Sequence, residues 1–154
     1  MENKKEILVP AIENGTVIDH IPTNATYQVI HLLKLDQYQD QVLIGNYLES
    51  KKYTRKGIIK VNNKYFTDEE LGMIALVAPT ATVIAIKNFE VIKKCNMEVP
   101  DHIDKVIKCM NPACITNSEN IPTRFDVMDK SNLKLKCHYC EKLTTKDNIK
   151  FQID

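Results

Sequence analysis

Cys109, Cys114, Cys137 and Cys140 stand in C-x4-C and C-x2-C spacing, and no other feature narrows the possible folds as much. Two short cysteine-bearing turns, brought together by the excursion between them, present four soft thiolates from about four directions, which is the ligand set of a closed tetrahedral zinc site. A catalytic zinc keeps three protein ligands and a water, so four cysteines leave no position open for chemistry. One structural Zn2+ per chain is therefore expected. Iron sites of the rubredoxin type usually carry x2 spacing on both sides and a glycine after the second cysteine. Here Ile115 follows Cys114 and Glu141 follows Cys140, which favours zinc. Lys108, Lys136 and Lys142 flank the ligands and can offset the excess thiolate charge. His138, lying between two ligands, reads as a surface residue, because the four cysteines already complete the shell.

The fifth cysteine, Cys95, has no neighbouring Cys or His in sequence and reads as a half-buried strand thiol. An odd cysteine count with four in metal-ligand spacing favours a reducing compartment. The mixed charges of the N-terminus do not resemble a secretory leader, and the longest apolar run, Met73 to Ala78, is far below the ~18 residues of a membrane span. A soluble, cytoplasmic protein with no membrane association is expected. Charge is balanced along the chain: residues 1–100 hold 12 basic and 12 acidic side chains, and residues 101–154 hold 9 and 8. Neither part offers the broad basic surface that phosphate-backbone binding requires, so no nucleic-acid partner is expected. A zinc ribbon that binds nucleic acid is the alternative reading, with a gel-shift at physiological salt as its discriminator. No glycine-rich phosphate loop, open metal site or nucleophile–base pair points to an enzyme.

Ahead of the cysteines the chain alternates between strand and helix patterns. Ile7 to Ile12 and Thr16 to Ile21 read as extended, with a turn at Glu13 to Gly15. Thr23 stands where it can cap a helix whose apolar face is Ala25, Val29, Leu32 and Leu33. Gln41 to Leu48 and Gly57 to Val61 read as strands around the basic loop of Lys51, Lys52, Arg55 and Lys56. Thr67 to Glu70 is a capping box for a second helix, which Pro79 stops. Thr82 to Ile86 and Phe89 to Ile92 follow as strands around Lys87 and Asn88. This order predicts an α+β fold: a ferredoxin-like antiparallel sheet with two helices on one face, followed by a small β-rich zinc-ribbon or rubredoxin-like domain. Composition shifts near Pro100, which predicts domains over residues 1–98 and 99–154. The second is small for independent stability, so metal binding and folding are expected to be coupled.

The whole pattern resembles the regulatory chain of aspartate carbamoyltransferase. The resemblance spans essentially the whole chain, and its most specific stretches are Gly15 to Pro22 (GTVIDHIP), Ala78 to Val83 (APTATV), Ile86 to Val91 (IKNFEV) and the cysteine set through Glu141. It implies a noncatalytic subunit with an N-terminal allosteric domain that binds nucleotide effectors and pairs with a second copy. It also implies a C-terminal zinc domain that docks on a separate catalytic chain of pyrimidine biosynthesis. CTP is the implied feedback inhibitor and ATP the opposing effector, with UTP a further candidate.

The resemblance assigns Val9, Ala11, Ile12, Val17, Ile86, Phe89 and Val91 to the pocket wall. Asp19 would accept from ribose hydroxyls, Lys60 and Lys94 would supply charge for a triphosphate, and His20 would donate to it. Asn111 and Glu141 are the implied contacts to the catalytic chain. Three positions depart from the familiar pattern: Glu6 stands in place of a lysine, Pro10 in place of an acidic residue and Ile84 in place of an asparagine. Effector specificity is thus less determined than effector binding.

Overall fold

The structure, a computed structural model, describes residues 10–152, which divide into two compact units. The first unit contains residues up to Thr67 together with Val77–Met97. The second contains Asp68–Leu76 and Glu98 onward.

The first unit is built on a sheet of β1 (Gly15–Ile21), β2 (Val42–Ser50), β3 (Thr54–Asn62), β4 (Thr82–Lys87) and β5 (Glu90–Asn96). The spatial order is β2-β3-β1-β4-β5, antiparallel throughout. With α1 (Thr26–Leu32) between β1 and β2, and α2 (Asp68–Val77) between β3 and β4, the first four strands take the ferredoxin-like order. The fifth strand is added as a hairpin at the β4 edge. Strand alternation explains the sheet's two faces. Thr16, Ile18, Ile59, Val61 and Val83 share one face and are buried, as are Val29 and Leu32 of α1 and Leu33 at its C-cap. Helix and sheet approach closely at Gly57, where a Cβ would fall on the Thr26 hydroxyl. That hydroxyl donates to Asn46 Oδ1 at 2.8 Å and thereby ties α1 to β2.

Some local expectations are corrected. Thr23 does not cap α1; Ala25 occupies the N-cap without a side-chain bond, and the Thr23 carbonyl instead accepts from Asn46 Nδ2 at 3.2 Å. Pro10 to Ile12 carry no regular structure, and residues 7–9 of the expected first strand lie outside the described residues. The β4–β5 connection is Asn88 and Phe89, both with positive φ (53° and 66°), the signature of a tight type I′ hairpin, so β5 begins one residue later than the pattern indicates. Cys95 is half-buried on β5, paired across to Val83.

The second unit has a four-stranded antiparallel sheet in the order β10-β9-β8-β6, formed by β6 (His102–Asp104), β8 (Arg124–Asp129), β9 (Lys134–Cys137) and β10 (Leu143–Thr145). A separate two-stranded ladder joins β7 (Ile107–Lys108) to β11 (Lys150–Phe151), and α3 (Ile115–Ser118) is a single turn. Its core contains Val99, Ile103, Val106, Ile107, Phe125, Leu133 and Leu135 with three of the metal-spaced cysteines, Cys109, Cys114 and Cys137. Leu76 belongs to this core and Met73 packs against it, so α2 supplies apolar side chains to the second unit.

Candidate metal centre and sheet-face site

The four sulfurs of Cys109, Cys114, Cys137 and Cys140 all lie within 4.8 Å of one another. Two edges of this group are 3.6 Å (Cys109 to Cys140) and 3.7 Å (Cys114 to Cys137). A tetrahedron of thiolates around a metal at a bond length of about 2.3 Å has sulfur–sulfur edges of about 3.8 Å, so the donor set fits a four-coordinate ion. The backbone makes the fit possible. In the first knuckle, Cys114 N–H donates to the Asn111 carbonyl at 3.0 Å, and Asn117 Nδ2 donates to the carbonyls of Cys109 (3.0 Å) and Asn111 (2.7 Å). In the second, Glu141 N–H returns to the Cys137 carbonyl at 2.9 Å, with Glu141 in the left-handed region at φ 64°. Cys137 N–H donates to the Lys142 carbonyl at 3.0 Å.

The thiols sit in unlike surroundings. Burial pushes Cys109 up to about 12 and also raises Cys137. At Cys140 burial acts in the same direction, but hydrogen bonds from the Asn111 side chain, the Lys142 backbone and the neighbouring thiols outweigh it and bring the group down to about 7. Thiolates are the metal-binding form, so loading the site with a divalent ion must expel protons, and ion affinity falls as pH falls. In a chelator competition, the apparent dissociation constant should rise at least tenfold from pH 8 to pH 6; a flat profile would contradict thiolate ligation. Asn111, expected at a partner contact, is half-buried within the first knuckle, whereas Glu141 is exposed.

In the first unit, the sheet face opposite Ile18 and Ile59 gathers most of the other candidate residues. One cross-strand row runs Leu43, Lys60, Val17, Ile84, Lys94 over all five strands. Lys60 and Lys94 flank its apolar middle, three strand spacings or roughly 14 Å apart. On one side lies the polar row Asp19, Thr82, Asn96, and on the other the row Gly15, Ile86, Val91. Val17 packs with Ile12 and Ile58, and Leu43, Leu48, Ile84 and Ile86 close around them. The face is thus graded, apolar toward Ile86 and Val91 and polar toward Asp19.

His20 reaches this polar end through a bulge. Plain alternation would send its side chain to the opposite face from Asp19. The β1–β3 register shifts between Ile18 and Ile21, and His20 takes φ 57°. Its ring consequently lies beside Thr82, with Nδ1 3.3 Å from Oγ1, and Thr82 donates on to Asn96 Oδ1 at 3.0 Å. Asp19 accepts the His20 backbone N–H at 2.7 Å and forms an ion pair with Lys56 at 2.8 Å. Lys60 Nζ donates to the Pro10 carbonyl at 2.7 Å; burial lowers its pKa, while Asp19 opposes and Lys56 reinforces the shift.

Ala11 and Phe89 are exposed, Phe89 in the hairpin turn, Val91 and Lys94 are exposed on β5, and Val9 lies outside the described residues. Sequence reading passed over Thr82, Asn96 and the role of Lys56, which it placed in the basic loop between two strands. The only available signal was alternation, which assigns Thr82 to the Asp19 face once the β1–β4 register is known.

Comparison with known proteins agrees along the chain. Residues 7–98 match the family described as aspartate carbamoyltransferase regulatory chain, allosteric domain, and residues 101–150 match its metal binding domain. The aspartate carbamoyltransferase regulatory chain of Bacteroides thetaiotaomicron is 46% identical over 148 residues, covering 96% of this chain and 97% of that one. The regulatory chain of Thermococcus sibiricus is 48% identical over 145 residues, covering 94% and 95%. That of Pyrococcus horikoshii is 47% identical over 146 residues, covering 94% and 96%. No helix among the described residues is long and apolar enough to cross a membrane. With both domain matches, near-complete coverage by relatives and a four-cysteine metal site in place, this chain belongs to the family of aspartate carbamoyltransferase regulatory chains, which are noncatalytic.

Proposed function

We propose that the chain is the cytoplasmic regulatory subunit of an aspartate carbamoyltransferase, with an effector domain over residues 1–98 and a catalytic-chain docking domain over residues 99–154. CTP is the inhibitor and ATP the opposing effector, UTP being a further ligand to test, and two copies pair through the effector domain. The observation that carries this reading is the graded sheet face. A nucleotide has an apolar base, a hydroxylated sugar and a polyanionic tail. The face provides apolar side chains at Ile12, Ile86 and Val91, an acceptor at Asp19, and cationic or donor groups at Lys60, Lys94 and His20. Ile84 occupies the middle of that face and supplies no donor, so discrimination between bases would fall to backbone groups. Zinc is the proposed ion, on the ground of four thiolate donors in a closed shell; metal analysis finding iron instead would overturn that choice.

An effector influences catalysis only by binding two assembly states unequally. Coupling of this kind is typically ~1–3 kcal/mol. In this reading nucleotide binding shifts the paired effector domains, and the metal-ordered knuckles, with Asn111 and Glu141, hold the docking surface in one geometry. The test is titration of the reconstituted complex with CTP, UTP and ATP. Lys60→Ala removes a charge-assisted donor, so CTP affinity should fall roughly tenfold or more with assembly intact. An unchanged nucleotide titration would refute the assignment of Lys60.

A further inference from the structure

Lys108 and Lys150 are direct partners in the β7–β11 ladder. Side chains paired across an antiparallel ladder leave the same face with Cβ atoms about 5 Å apart, and like charges placed so are destabilising. The ladder has only two residue pairs, and the other, Ile107 with Phe151, faces the core. Packing thus explains the ladder but not its two ammonium groups. No carboxylate among the described residues pairs with either lysine. Both line one concavity of about 280 Å3, together with Cys109, Met110, Pro112 and Asn117. The Asn117 amide is committed to the Cys109 and Asn111 carbonyls, so it shapes this hollow rather than donating into it. Met110 is exposed beside the lysines and gives the rim an apolar contact.

We propose that Lys108 and Lys150 form a carboxylate-receiving site through which the second unit grips an acidic side chain of the catalytic chain. The inference rests on the docking role given under Proposed function, and it assigns that role a location and a charge. Two ammonium groups paired across the ladder, with no carboxylate partner among the described residues, form a mutually repelling pair that a partner's carboxylate relieves. A bound carboxylate also accepts hydrogen bonds from both ammonium groups. The concavity begins at the first knuckle, since Cys109 forms part of its wall; Lys108 stands one residue before that candidate ligand and sets Lys150 opposite it through the ladder. A competing role for the lysines is to balance the charge of the thiolate centre, and this predicts a different outcome.

The experiment compares the full-length, metal-loaded chain with its Lys150→Glu variant. For each it measures affinity for the purified catalytic chain at low and high salt, metal content and thermal stability. Lys150→Glu converts the repelling pair into an attracting one, so the variant should melt no lower than the parent and keep its metal. It should nevertheless bind the catalytic chain roughly tenfold more weakly at low salt, with a shallower salt dependence. Unchanged affinity and salt slope would overturn the proposal. So would weaker binding that only tracks loss of metal, which is the signature of the charge-balancing role. If the unmodified chain fails to bind the catalytic chain at all, the docking role itself falls, and this site with it.

Discussion

Cys114→Ala should abolish stoichiometric metal binding, unfold the second unit and release the chain from its catalytic partner. Cys114 is almost fully buried, with its sulfur 3.7 Å from that of Cys137 and 3.2 Å from the Thr116 hydroxyl. The core around it is small, and three of its members are themselves ligand cysteines, so little apolar packing remains to hold the knuckles once the ion is gone. Structural zinc contributes an apparent ~10–16 kcal/mol to folding of small domains, well above what a unit of this size can lose and stay folded. Metal-to-protein ratio, heat denaturation and sedimentation with the catalytic chain are the measurements. A variant that holds one ion per chain, or that melts at the parent temperature and still co-sediments, would show that the four-thiolate centre does not organise the unit.

Gly15→Ala should be nearly as damaging to the first unit, for a purely steric reason. Gly15 opens β1 at φ 138°, which L side chains rarely adopt. A Cβ there would fall on the Val61 carbonyl oxygen and come within 2.9 Å of the Asn63 nitrogen. Both obstacles are backbone, and Val61 lies fully buried in β3, so neither can swing aside as a side chain would. The strained conformation alone costs ~1–3 kcal/mol, and the collision adds to it, giving an expected loss of about 3 kcal/mol or more in denaturant unfolding. Gly15 also pairs with Ile86 at the apolar end of the sheet face, so in the proposed effector role nucleotide affinity should fall with stability. A variant within about 0.5 kcal/mol of the parent would mean that β1 can re-register without penalty.

The metal centre was legible because its donors are encoded in local spacing: each pair of cysteines sits within one turn, and the chemistry of four thiolates leaves few alternatives. The sheet was legible from alternation and turn residues, and the order of elements admitted few arrangements. Boundaries were less so. Asn88 and Phe89 form the hairpin where the pattern pointed to Lys87 and Asn88; Asn88 is a residue type that tolerates positive φ, but Phe89 at positive φ leaves no local trace. Thr23 has the chemistry of a cap but is held back by Asn46 from a neighbouring strand, a contact 23 residues away.

Local patterning was enough to establish the thiolate quartet, the alternation of strands and helices and the near-neutral charge, since each depends on neighbours along the chain. Tertiary pairing alone decided the rest. A bulge carries His20 across to Thr82, Lys56 closes on Asp19, Met73 and Leu76 of α2 serve the core of the second unit, and Lys108 is set against Lys150. Strand register governs all of these outcomes but the helix packing, because a shift of one residue sends every strand side chain to the opposite face, and register, like that packing, is set by contacts between residues far apart in sequence.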